Sequence, residues 1–144
     1  MIKREDINKA VGGVIDQALA EAGIPAVRRR SDDDSQIHRR SVQVMLEGLH
    51  VEPMGQLRKL TQDIEIYFYP ADIDQPRDDV WTAVNALGQA FADPLIIESA
   101  ALYCDDEIYY DMSDDFAQIS LSLSWMETAH IDAETIEEIN VEVE

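Results

Sequence analysis

Between residues 117 and 125 apolar and polar side chains alternate without a break, with Ile119, Leu121, Leu123 and Trp125 on one parity and Gln118, Ser120, Ser122 and Ser124 on the other. Successive side chains of an extended chain point to opposite faces, so this stretch satisfies both sets as a strand with one dry and one wet face. A helix would spread the apolar set around its axis. The expectation is an antiparallel strand with a helix covering its apolar face. Residues 60–69 repeat the pattern, with Leu60, Ile64, Ile66 and Phe68 opposed to Thr61, Asp63, Glu65, Tyr67 and Tyr69, and Pro70 ends the run.

Two segments have the other period. Ile7, Val11, Val14, Ile15, Ala18, Leu19 and Ala22 recur at spacings of three and four, which predicts an amphipathic helix over residues 3–22. Gly23 suits the left-handed position just past its end, and Pro25 prevents continuation. A strand over residues 24–29 is expected to follow. Asp74 as N-cap, Pro76 in the first turn and Val80, Trp81, Val84, Leu87 and Phe91 at helical spacing predict a second helix that stops before Pro94.

The remaining segments are shorter. Residues 28–40, RRRSDDDSQIHRR, lack any apolar period and read as a loop. Val42, Val44 and Leu46 alternate with Ser41, Gln43 and Met45 as a half-buried strand, after which Gly48, Pro53 and Gly55 mark residues 47–59 as a second loop. Residues 95–104, 107–112 and 116–126 are expected to be three strands, joined by Asp105-Asp106 and Ser113-Asp114-Asp115. The acidic stretch 130–144 reads as a short helix followed by a strand. The order is helix, three strands, helix, three strands and tail. One core is expected for 144 residues. The fold class is therefore α+β, a single domain over residues 1–144 with a mostly antiparallel sheet, two helices packed on one face, and residues 130–144 as an acidic C-terminal extension.

Charge limits the partners. The formal net charge is −19, and every Lys and Arg lies in residues 1–77, which hold 11 basic and 13 acidic side chains, while residues 78–144 hold 17 acidic and none basic. Such a surface repels phosphate backbones and argues against a DNA-binding protein, whose affinity comes from counterion release by Lys and Arg. The same charge also serves solubility. No apolar run reaches the ~20 residues of a membrane span. The opening MIKREDINKA has no apolar segment of the secretory kind, so the chain is expected to stay where it is made.

No chemistry has an anchor in this sequence, so no enzyme, cofactor, metal or catalytic residue is assigned. His38, His50 and His130 are read as lying in separate loops without ligand spacing. The acidic stretch 105–115 lacks the glycine and glutamate that an EF-hand loop requires. Cys104 is alone, and no Ser or Cys has a neighbouring His in the sequence. With 30 Asp and Glu in the chain, adjacent carboxylates carry no information, and only a buried pair in a cleft would support an acid–base enzyme.

Two features point to partners. The Arg-flanked loop, with Arg28, Arg29, Arg30, Arg39 and Arg40, can reach an acidic neighbour, including the second half of another copy, or pair with Asp32–34 within itself. Ile139, Val141 and Val143 alternate in the tail and can add a strand to a neighbour's sheet edge or to the chain's own.

The order of elements and several strings resemble the phage tail terminator family of prophage tail modules. The strings run along nearly the whole chain: the opening helix ending at Gly23-Ile24-Pro25, and Asp63-Ile64-Glu65-Ile66-Tyr67-Phe68-Tyr69-Pro70, similar to the family's D-I-x-Y-F-P segment. Further on come the helix around Val84-Asn85-Ala86-Leu87, the strand 120–126 and Glu137-Glu138-Ile139-Asn140-Val141, similar to the closing E-E-L-x-x-N pattern. The chain departs from the family at residues 42–46 and 47–59, where apolar, glycine and basic positions are displaced. The resemblance implies a structural virion protein, made in the bacterial host cytoplasm, that caps the head-proximal end of the tail tube as a ring, typically hexameric. Its implied partners are other copies of itself, the tail tube protein, a head-completion, connector or neck protein, and the sheath protein if the tail is contractile. DNA would pass through the ring without specific binding. Two alternatives stay open: a head–tail joining protein one layer higher, and a small acidic cytoplasmic binding protein or nucleic-acid mimic that occupies a basic cleft.

Overall fold

The computed structural model describes residues 2–29, 40–70, 76–113 and 115–128. The elements are α1 (Arg4–Glu21), β1 (Val27–Arg29), β2 (Ser41–Met54), β3 (Leu57–Tyr69), α2 (Pro76–Ala90), β4 (Leu95–Ile97), β5 (Ala100–Leu102), β6 (Tyr109–Met112) and β7 (Ala117–Thr128). Five strands form one sheet in the order β1-β2-β3-β7-β6, antiparallel except for β1 against β2, and β4 and β5 make a separate hairpin. Both helices lie on one face of the main sheet. The α+β expectation is met.

The core follows the two periods. β3 buries Leu60, Gln62, Ile64, Ile66 and Phe68, and β7 buries Ala117, Ile119, Leu121, Leu123 and Trp125. β3 pairs with β7 from Leu57↔Thr128 to Phe68↔Ala117 in unbroken register, which places the two apolar rows side by side. Ile7, Val11, Ile15 and Leu19 of α1 and Val80, Ala83, Val84 and Leu87 of α2 close over them. α1 stops as expected: Ala22 is the C-cap, Gly23 takes φ +80, and the Ile24 N–H donates back to the Leu19 carbonyl at 2.9 Å.

Several expectations fail for physical reasons. Residues 47–59 are a hairpin arm rather than a loop, because β2 and β3 stay paired out to Met54↔Leu57. The register slips between Leu46 and Leu49, so Glu47 and Gly48 together oppose Asp63 as a bulge. Gly55, at φ +68 before Gln56, is the glycine-first pattern of a type II′ turn. Pro53 is tolerated because this end of β2 is exposed. Residues 95–104 fold back on themselves at Glu98, whose φ is +56, as β4 and β5 rather than one strand. β6 starts at Tyr109 rather than residue 107, and the strand expected over residues 24–29 is confined to Val27–Arg29. Arg28 and Arg29 therefore sit in an edge strand instead of a loop. Trp81, placed on the apolar side of α2 by its spacing, is 60% exposed. Asp74, Arg30, Arg39, Asp32–34, His38 and the tail residues Ile139, Val141 and Val143 lie outside the described residues.

Candidate functional site

The outer face of the sheet carries a row of polar side chains joined across strands. Glu65 Oε2 accepts from Gln118 Nε2 and from Ser120 Oγ, both at 2.7 Å. One position along, Asp63 Oδ1 accepts from Ser122 Oγ at 2.6 Å and Asp63 Oδ2 meets His50 Nε2 at 2.8 Å. The Ser122 hydroxyl, followed by the His50 contact, holds the Asp63 carboxyl below the usual carboxylate range against the effect of burial. His50 is therefore in strand β2, not in a loop, and it does share a partner with a serine. The carboxylate stands between them, so the imidazole does not contact the hydroxyl. A hydrolase nucleophile needs the reverse order, with the imidazole on the hydroxyl. Thr61 and Ser124 hydroxyls meet at 3.0 Å, and Tyr69 Oη donates to Gln43 Oε1 at 3.1 Å. Cys104 offers no activated thiol, since burial pushes its pKa up. Among the described residues no group of three or more His, Cys, Asp and Glu could hold a metal ion.

A different site lies at the edge. β1 covers β2 only at Ser41–Gln43, so residues 44–54 of β2 are without a strand partner on that side among the described residues. Beside this edge an open groove of about 910 Å³ is lined by Lys3, Arg4, Glu5, Asn8, Arg28, Arg29, Val44 and Leu46. Four of the 11 basic side chains of a chain at net −19 thus meet here, with Glu5 as the one acid in the lining. Each arrives by a separate cause. Lys3 and Arg4 are at the start of α1, and Arg4 Nη2 donates to the Leu46 carbonyl at 3.4 Å. Arg28 points to the helix side, lying across Gly12 and pairing with Asp16 at 3.4 Å. Arg29 points the other way, its guanidinium 5.6 Å from the centre of the Tyr69 ring. Val44 and Leu46 form the floor. Past the bulge the same side continues with Leu49 and Val51, 42% and 48% exposed.

The expected arginine group divides. Arg28 and Arg29 meet at the groove. Arg40 does not: its Nε donates to Asp79 Oδ2 at 2.5 Å, a carboxylate in the first turn of α2 that is 8% exposed. It joins the start of β2 to α2 within the subunit. Lys3 and Arg4 were not expected at this site. Their only sequence signal is that they precede an apolar helical stripe, which says nothing about which strand edge the helix crosses.

No family model matches this chain, and no curated protein does. A solved structure 12% identical aligns over 92% of this chain and 100% of its own with a TM-score of 0.42, a likeness too low to carry an argument.

Proposed function

We propose that this protein is a phage tail terminator that acts by assembly alone, closing into a ring, typically of six copies, on the head-proximal end of a tail tube and presenting its far face to a head-completion or connector protein. The observation that carries the reading is the basic groove where the start of α1 meets β1 and β2, in a chain whose residues 78–144 contain no Lys or Arg. A basic site at one place and an acidic half at another make a contact between unlike surfaces, and contacts of that kind build rings when the rotation closes. The order of elements and strings that resembles the terminator family supports the same reading. Stopping tube growth requires no chemistry: a subunit that matches the tube on one face and not on the other ends the stack. Carboxylates around the channel would let DNA slide, since like charges leave no counterion release to hold it.

The test is native mass across a concentration series, followed by negative-stain imaging of the largest species. A closed ring with a central hole that binds the end of purified tail tubes is the expected result. A ring that ignores tubes and binds the connector points to the neck layer. A chain that neither assembles nor caps tubes, and binds a basic partner with steep salt dependence, is an acidic binding protein and ends the terminator reading.

A further inference from the structure

We propose that the flank of α2 carrying Trp81 is the surface on which one copy receives the next, with the cationic start of α1 of the second copy as its occupant; this contact rests on the ring reading above and names the two faces that build it. Trp81 is 60% exposed, whereas the chain's other tryptophan, Trp125, is 3% exposed. It does not stand alone. Gly88 follows Trp81 by seven positions, about two helical turns, and so lies on the same side of α2. That side faces β6, because the Tyr110 hydroxyl lies so close over Gly88 that an added Cβ would collide with it. Tyr110 and Met112 pair with the buried Ile119 and Ala117, which puts them on the helix side of the sheet, and both are exposed. Trp81, Tyr110 and Met112 therefore share one strip between α2 and β6. Apolar groups gathered in water, with a tryptophan among them, are the anchors that interfaces use.

Charge and position identify the occupant. Asp78 precedes Trp81 by less than a turn, and Glu107, Asp111 and Asp115 surround β6, all of them exposed. Arg77 is the one cation beside them and already has a partner in the chain. A strip with that rim suits a partner that brings cations. The chain's own adjoining stretches do not: residues 71–75 and 129–144 contain acids and no Lys or Arg, and residues 30–39 leave from Arg29 and return to Arg40 at the other edge of the sheet. Lys3 and Arg4, exposed at the start of α1 beside β1 and β2, are cations a second copy can offer. β1 and β6 end the five-strand order, so the cationic face and the acid-rimmed aromatic face lie at opposite edges on the helix side of one sheet. Unlike faces at opposite edges make a head-to-tail contact, the type that closes rings. Side chains make this contact, so neither strand edge has to be open.

The experiment follows sedimentation and tryptophan fluorescence of the full-length chain over a concentration series. Trp125 is already buried, so a blue shift and protection from acrylamide that grow with concentration report Trp81 entering the contact. Trp81→Ala should associate ~30-fold more weakly or worse, the loss expected for one anchoring tryptophan. Charge is tested with K3E/R4E and D78K/D111K. All four positions are exposed, so circular dichroism and melting are expected to match wild type. Each variant alone sets like charges against each other and should fail to assemble at concentrations where wild type does. Mixed in equal amounts they should assemble, the two kinds alternating around an even ring, and salt should weaken the mixture as it weakens wild type. Charge reversals, or a W81A chain, that assemble like wild type overturn the contact, and imaged closed rings would then leave the ring reading standing on another surface. A mixture that associates into filaments or small oligomers without closed rings upholds the contact and removes the ring. A wild-type chain that stays monomeric at every concentration overturns the contact outright, and tube capping then judges the terminator reading alone.

Discussion

Replacing Glu127 with alanine should destabilise the fold by about 3 kcal/mol. Its carboxylate accepts from the Trp125 indole N–H at 3.0 Å and the Ile2 backbone N–H at 3.2 Å on one oxygen, and from Arg58 Nη2 at 3.2 Å on the other. One side chain thus ties together β7, β3 and the chain leading into α1. It is 15% exposed and Arg58 is 26% exposed. The three bonds to this carboxylate, two from neutral donors and one from the Arg58 guanidinium, contribute roughly 1 kcal/mol each after allowing for solvent. Arg58 Nε is already buried without a partner, so removal of Glu127 strands the guanidinium further. For a chain of this size the loss corresponds to a melting temperature lower by about 9 °C. Urea unfolding followed by tryptophan fluorescence measures it, with Glu127→Gln, which keeps acceptor oxygen but no charge, expected to lose about half as much. Burial opposes the ionisation of Glu127, yet the Trp125, Ile2 and Arg58 contacts outweigh it and hold its carboxyl below the usual 4.5. A lowered folded-state value means the contribution is complete above the unfolded value and disappears as pH falls through the folded one. The gap between wild type and E127A should therefore be full at neutral pH and narrow on acidification below about 4.5. A gap under ~0.5 kcal/mol at pH 7, the scatter of an ordinary surface substitution, would refute the reasoning.

Arg40→Glu should destabilise by roughly 3 kcal/mol, because it sets a carboxylate against the nearly buried Asp79, whereas Arg29→Glu should leave chemical denaturation nearly unchanged; equal midpoints would break the distinction between a fold contact and a groove residue. Ser122→Ala removes the contact that most favours ionised Asp63, so in an acid titration the variant should lose less stability than wild type as pH drops through and below about 3.8, and parallel curves would count against it. In Gly12→Ala the new methyl would collide with the Arg28 guanidinium, a flexible group that can swing aside, so stability should stay within ~0.5 kcal/mol while double-mutant coupling between Arg28 and Asp16 vanishes. Duplex DNA should run unshifted with the protein even at low salt, and a retarded band that salt dissolves would contradict a channel through which DNA slides.

The sequence announces some parts of this fold and hides others. α1, α2, β3 and β7 are legible because each buries one face for more than two turns or eight residues, long enough for a period to register. The β2–β3 arm is hidden because its outer half is exposed on both faces and no alternation is selected there. The bulge at Glu47 and Gly48 also moves the inward set from even to odd positions, which destroys the pattern across the strand. β1 is legible as the end of the strand expected over residues 24–29, but its two arginines also read as the start of the polar stretch 28–40, which blurs its extent. The site is harder still. Arg28 and Arg29 can be singled out from the sequence as candidates for a partner contact, but Lys3 and Arg4 join them only when the start of α1 meets β2. Arg40 and Asp79 are 39 positions apart, and Asp63 and Ser122 are 59 apart; only register makes them neighbours.

The placement of β7 beside β3 sets the tempo of folding. β2 and β3 are adjacent in sequence and can pair as a hairpin in roughly 1–10 μs once both are available. Their central partner arrives much later, since Phe68 must wait for Ala117 and Leu57 for Thr128. At ~5–20 residues per second, the chain from the end of β3 to the end of β7 takes on the order of 3–12 s to be synthesised, during which the edge of β3 that β7 will occupy is without that partner. The ribosome-bound intermediate is therefore the most sticky form this acidic chain takes, and its yield in cells should depend on translation rate and on chaperones that shield β-strands more than on the stability of the finished domain.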